Sequence, residues 1–281
     1  MSRPSRNRPP RLEPVRREPE PAPPPTAVQL LRRNRVAGPL RSPGPTELRH
    51  LVSGVASADR SVLLGLAPFE GCTVEEVRAV LLSRWGASPE RPETDPELTL
   101  ASTAEAADRL ASMSCARARI TFATSRPASL LPLLGHLARL ARGVGAELAE
   151  EPDSPRFRCD GRAGRVLRWV GGVAVVSDGR SVLATDDRAA AEELLFGSRR
   201  PRLLVADGPF AAGAVAEGVP AIALAGVGAL ALGLAAARGA PLSVIPMDTE
   251  RQPNAYEPLL EVFESSFAAA VRAEQVTPGA P

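Results

Sequence analysis

Lysine is absent from this chain: all 34 basic residues among its 281 are arginine. A GC-rich codon bias accounts for part of that, yet the absence still removes chemistry. No Schiff-base lysine, no lysine general base and no G-K-[ST] phosphate loop can operate here. Histidine is nearly absent too, with only His50 and His136. A multi-histidine metal centre is therefore excluded, and a Ser-His-Asp arrangement would need one of those two. The cysteines, Cys72, Cys115 and Cys159, are odd in number, widely spaced and never in a C-x-x-C pair. That argues against a disulfide framework and against a cysteine zinc site, and predicts free thiols packed as small apolar groups. No apolar run reaches the ~18 uninterrupted residues of a membrane span. The most apolar stretch, Ala221 to Ala237, is broken by Gly226, Gly228 and Gly233. The N-terminus lacks the apolar core of a secretory signal, so the expected compartment is the cytoplasm.

What is present divides unevenly. Residues 1–45 hold ten arginines against three glutamates, a net of +7, while the remainder holds 24 arginines against 29 acids, a net of −5. A basic arm thus precedes an acidic body, and the body lacks the cationic surface of a tight duplex binder. The arm, 1–45, is rich in Arg and Pro and cannot bury enough surface to offset the entropy of ordering. Within it, Ala27 to Val36 fits a short helix with Val28 and Leu31 on one face. Functionally the arm would contact RNA, DNA or another acidic partner; the plain reading is a solubilising tether. The tail, 274–281, is also expected to be disordered.

The body reads as α/β, a mostly parallel sheet flanked by helices with an antiparallel, hairpin-rich middle. In the N-terminal part, 46–155, helices are predicted over 46–55, 73–85, 103–113 and 127–142, the last bent or delayed by Pro132. Strands are predicted over 61–67, 98–101, 119–124 and 147–151. The segment 156–200 carries D-G, G-G and D-G signals between strand-like runs, which predict a meander, then a helix over 189–196. From 201 to 273 strands (202–206, 221–225, 242–247) alternate with helices (209–217, 227–238, 255–273), implying right-handed parallel crossovers.

In open parallel sheets, sites form beyond the carboxyl ends of the strands. That rule selects Asp207 and Gly208 after one strand, and Asp248 and Glu250 after another. Clustered carboxylate oxygens are what Mg²⁺ requires, with waters and a phosphate completing its shell. The plain readings are a helix N-cap for Asp207, and a polar turn at Asp248 and Glu250 with Asn254 capping the next helix. The run LLVADGPFAAGAVAEGVPAIALAG, Leu203 to Gly226, followed by MDTE and RQPNAYEPLLEVF, resembles a Toprim-type domain of the primase-associated kind. In that family an acidic residue plus glycine ends one strand, a G-[IV]-P-A-x-A-L-x-G strand follows, and D-x-D ends a later one. The resemblance covers residues 202–271 and implies Asp207 as general acid/base and Asp248 and Glu250 as Mg²⁺ ligands. The chain departs from the family in having Asp207 for glutamate and Glu250 for the second aspartate.

A second candidate is TFATSRPASLL, Thr121 to Leu131. Here a strand runs into a helix start that presents Ser125 and Arg126, an anion-binding arrangement with a guanidinium fork. The plain reading is a serine cap beside a surface arginine. Asp160, Asp178, Asp186 and Asp187 read as turn residues. Together these features lead to a Mg²⁺-dependent phosphoryl-transfer or nucleic-acid-processing protein of Toprim-like type. Its rivals are a catalytically degenerate version of that domain, a small-molecule phosphatase on an unrelated α/β sheet using the same carboxylates, and a non-enzymatic α/β binding module. The partner is a phosphorylated small molecule or a nucleic acid, and no membrane is implied.

Overall fold

Strands buried on both faces read as continuous apolar runs, and such runs build the centre of the molecule. The computed structural model describes residues 25–40, 43–197 and 199–276. In chain order the helices are α1 (Ala27–Arg33), α2 (Pro45–Ala56), α3 (Val74–Trp85), α4 (Pro96–Cys115), α5 (Pro127–Gly143), α6 (Ala189–Gly197), α7 (Gly208–Ala216), α8 (Leu230–Ala237) and α9 (Glu257–Val276). The strands are β1 (Gly38–Pro39), β2 (Glu93–Thr94), β3 (Arg119–Ala123), β4 (Glu147–Leu148), β5 (Phe157–Cys159), β6 (Arg162–Val170), β7 (Val173–Ser177), β8 (Val182–Leu183), β9 (Leu203–Asp207), β10 (Ala221–Ala225) and β11 (Leu242–Pro246).

The main sheet has the order β11-β10-β9-β3-β7-β6-β5, with β4 beside the start of β3 and β8 beside β7. Pairing is parallel from β11 across to β7, and antiparallel along the β5–β6–β7–β8 meander. From β3 the chain moves outward to β4 and β7, then returns to lay β9 on the other side of β3 and continues to β10 and β11. The direction of winding therefore reverses between β3 and β9, which makes their junction the topological switch point of the sheet.

Side chains alternate between the faces of each strand, so the core divides in three. Ile120, Phe122, Val205 and Leu224 pack under α4, α5 and α9 on one face. On the other, Ala223 and Val244 lie under α2, α3 and α8, and Ala174 and Leu204 lie under α6 and α7. No helix among the described residues is long and apolar enough to cross a membrane.

Four local differences from expectation have physical causes. Residues 61–67 form turns, with Leu64 and Gly65 at positive φ, although Leu63 and Leu66 are buried as an apolar run suggests. Residues 98–101 lie inside α4, because Asp95 caps the Glu97 amide and Pro96 starts the helix early. Pro132 leaves α5 continuous; it and Ala128 are exposed, so the carbonyl that loses its bond faces water. Finally, part of the segment assigned to the arm by composition is folded. Thr26 and Gln29 form a capping box for α1, and Leu31, Val36 and Ala37 are core residues. The rest of the arm, 1–24, and the tail beyond Val276 lie outside the described residues.

Candidate functional site

The carboxyl ends of β3, β9, β10 and β11 open into a cavity of about 610 Å³. At the switch point two strand ends meet directly. Ser125, just past β3, donates its amide to Asp207 Oδ1 at 2.7 Å and its hydroxyl to Oδ2 at 2.9 Å. Asp207 ends β9 and stands at the N-cap position of α7, yet its side chain makes no bond to that helix. The cap that Asp supplies so readily is forgone for a partner 82 residues away. Both residues line the cavity floor, with Asp207 only 2% exposed and Ser125 1%. Burial pushes the Asp207 carboxyl above the usual range, while the Ser125 bonds and the Arg126 charge pull it back. Gly208 follows with φ +32°, and a Cβ there would sit 3.6 Å from the Ser125 hydroxyl.

Arg126 ties the ends of the sheet together. Its Nη2 meets Asp186 Oδ1 at 2.6 Å, its Nε meets Glu250 Oε1 at 3.3 Å, and its Nη1 donates to the Thr185 carbonyl at 3.0 Å. Burial opposes the charge, but the carboxylates of Asp186, Asp207 and Glu250 outweigh it and hold the guanidinium firmly protonated. Neither Ser125 nor Arg126 caps α5 by its side chain.

Asp248 sits past β11 and is built differently. Its Oδ1 accepts the Glu250 amide at 2.8 Å, and its Oδ2 pairs with the Arg251 guanidinium through Nε at 2.8 Å and through Nη2. Its own amide donates to the Val36 carbonyl at 2.8 Å, anchoring the segment after α1 at the site. The Tyr256 hydroxyl accepts the Arg251 amide at 2.9 Å and donates to the Asp248 carbonyl at 3.1 Å. Asn254 is not the cap expected of it: it lies inside a short 3-10 turn, 253–256, whose cap position is Gln252.

Six predicted positions, Ser125, Arg126, Asp207, Gly208, Asp248 and Glu250, thus line one cavity. They do not form a three-carboxylate cage. Strand β10 separates β9 from β11, and among the described residues the trio with ligand atoms within 4.8 Å of one another is Cys159, Asp160 and Asp187. Sequence reasoning missed Asp186, Arg251 and the Gly226–Gly228 backbone, which share the cavity. In sequence Asp186 reads as a turn residue, and its signal is its place at the end of the meander, beside the switch point.

An open α/β sheet thus holds a buried Ser–Asp pair, a paired arginine and three further carboxylates around one cavity at the carboxyl ends of its strands. The family described as Phosphatase matches residues 26–268, and the chain belongs to it. A phosphatase from Streptomyces coelicolor is 30% identical over 246 residues, covering 83% of this chain and 91% of that protein. No solved structure gives a significant match.

These matches correct the Toprim resemblance and the nucleic-acid-processing reading that it led. The family match runs through α1 and the meander as well as residues 202–268, so the C-terminal strands are part of a larger unit of a different family. The physical source of the error is visible. The G-V-P-A-I-A-L-A-G stretch is a left-handed Gly218 closing α7 and a fully buried parallel strand. Any doubly wound sheet demands that pattern, whatever its chemistry.

Proposed function

We propose that this chain is a phosphatase that hydrolyses a phosphorylated small molecule in the cavity at the carboxyl ends of β3, β9, β10 and β11. One observation carries the reading: a phosphatase-family chain places Ser125, Arg126 and Asp207 together at its switch point, with the Ser125 hydroxyl bonded to Asp207 and 3.5 Å from the Arg126 guanidinium. Arg126 and the amino ends of α5 and α7 are suited to phosphate oxygens, and Gly208 keeps side-chain bulk away from them. Asp207 is the proton-transfer group, since its raised pKa lies nearer a working pH than an ordinary carboxylate's. The size of the cavity, about 610 Å³, and the net acidic body fit a small phosphomonoester better than a nucleic acid.

The charge of the lining supports a divalent cation. Four carboxylates, Asp186, Asp207, Asp248 and Glu250, face two guanidiniums, Arg126 and Arg251, so a phosphate dianion entering alone meets net repulsion. Mg²⁺ typically takes only one or two carboxylates with waters and phosphate oxygens, which suits a lining without a three-ligand cage. Asp248 and Glu250 would hold it. When bound it would supply charge neutralisation for the phosphate. The test is hydrolysis of p-nitrophenyl phosphate by the full chain, before and after chelation. Hydrolysis that falls on chelation and returns with Mg²⁺ is expected. Failure to release phosphate from aryl and sugar phosphates alike would end the phosphatase reading; hydrolysis indifferent to chelation would end the Mg²⁺ assignment.

A further inference from the structure

Resting on the phosphatase reading, we infer that Ser125 is the nucleophile and that catalysis passes through a phosphoseryl enzyme. An activated serine needs a base within hydrogen-bond reach, a third group that fixes the base, and stabilisation of the oxygen as its proton leaves. Ser125 has all three. Its hydroxyl donates to Asp207 Oδ2 at 2.9 Å, and its own amide holds Oδ1 at 2.7 Å, so the carboxylate can present no other oxygen to the hydroxyl. Arg126 Nη1 stands 3.5 Å from the same Oγ. The serine is also the last residue but one before α5, a helix of 17 residues whose positive amino end faces the developing negative charge.

Placement separates this serine from an ordinary buried one. It lies at the reversal between β3 and β9, where open α/β sheets hold their ligands. The Ser125 carbonyl accepts the Thr185 amide at 3.1 Å, which fixes the residue from the meander side as well. Ser125 lines the cavity beside Gly208, whose lack of a side chain leaves the space next to the Ser125 Oγ open.

The steps balance. The Ser125 Oγ–H proton passes to Asp207 Oδ2 as the Oγ–P bond forms. The P–O bond to the leaving group breaks, and the departing oxygen takes a proton from solvent. Water then attacks phosphorus, giving one proton to solvent and releasing phosphate. The P–Oγ bond breaks, and Asp207 returns its proton to Oγ. No oxidant, reductant or further reactant is required.

The decisive measurement uses the native full chain with an aryl phosphate made chiral by oxygen isotopes, in the presence of an alcohol acceptor. Two in-line displacements predict net retention at phosphorus in the alkyl phosphate formed. Acid quenching during turnover should also leave one phosphoryl group on the peptide carrying Ser125. Ser125→Ala should lower kcat on the order of 10³-fold or more. Net inversion, or a phosphoryl group mapped to another residue, overturns the inference even if the alanine variant fails to fold. Hydrolysis with inversion sinks the serine step and leaves the phosphatase reading standing; a native chain that hydrolyses no phosphomonoester sinks both.

Discussion

Two carboxylate clusters lie at strand ends of this molecule, and they are built on opposite plans. In the antiparallel meander, Asp187 accepts the Ala189 amide at 2.9 Å and the Asp160 amide at 2.6 Å, holding the start of its own helix α6 and the adjoining turn. Cys159 beside it shares its sulfur with the Thr185 hydroxyl at 3.2 Å. At the switch point, Asp207 ignores the helix that it begins and binds a serine from a different crossover. In the first cluster Asp187 serves backbone amides, capping the start of α6 and closing onto the β5–β6 turn. The second takes a fully buried carboxyl and ties it across the sheet facing a cavity, at a desolvation cost that no nearby cap relieves. An acid held by its own turn is architecture; one drawn away from its turn into a cleft is where chemistry is to be sought.

The sharpest way to break that contrast is to neutralise both acids in turn. Asp207→Asn keeps the shape and one acceptor, so the chain should fold, but hydrolysis of p-nitrophenyl phosphate should fall about 10²–10⁴-fold. The same variant tests the pH dependence. Because the folded carboxyl titrates above its ordinary value of 3.8, the folded state holds a proton that the unfolded state has lost. Stability should therefore decline as pH rises from the ordinary carboxylate range through the raised value. Activity should rise over the same window, because the base must be ionised. Denaturant titrations across that window should lose this slope in Asp207→Asn. An unchanged slope would mean that Asp207 is not the group responsible.

The sequence made one half of this contrast readable and hid the other. Strand ends at Asp207 and near Asp248 follow from short, mostly apolar runs that begin just after Pro201 and Pro241, and the carboxyl-end rule then picks both acids. The register of a crossover is a different matter. Nothing near Ser125 in the chain announces that β9 returns to lie beside β3, since the reversal depends on the meander occupying the far side of β3 first. Hence the sequence marks Ser125 and Asp207 separately and leaves their pairing invisible. The short helix before Val36 is legible in the sequence, but its docking into the core is not. Arginine and proline on both sides mask two short apolar contacts, Leu31 and Val36, that fill the core under α4 and α9. The Toprim misreading arose from the same limit, since buried parallel strands look alike across families that differ in their chemistry.

A smaller effect is expected at Arg126, which reaches across the sheet yet keeps solvent contact. Arg126→Lys retains the charge but lacks the planar fork that engages Asp186, Glu250 and the Thr185 carbonyl together. We expect kcat/KM to fall about 10–100-fold, the loss of one or two charge-assisted hydrogen bonds. Most of it should appear in KM if the residue chiefly holds phosphate. A lysine variant with native kinetics would reduce Arg126 to a structural tie.

The smallest effect should come from the meander. Asp187→Ala removes the acceptor of two backbone amides, at Ala189 and Asp160, and should cost about 1–2 kcal/mol of stability as a lost helix cap. Its rate constant per folded molecule should stay near native, because the side chain serves α6 and its turn and lies outside the cavity lining. The residue before it, Asp186, contacts Arg126 directly, so the two neighbours provide a test at single-residue resolution. If Asp187→Ala slows turnover as much as Asp207→Asn while the fold remains intact, the distinction between locally held and cross-sheet carboxylates fails. If it lowers only the midpoint of unfolding, the meander is the scaffold that sets β3 in place, and the chemistry belongs to the switch point.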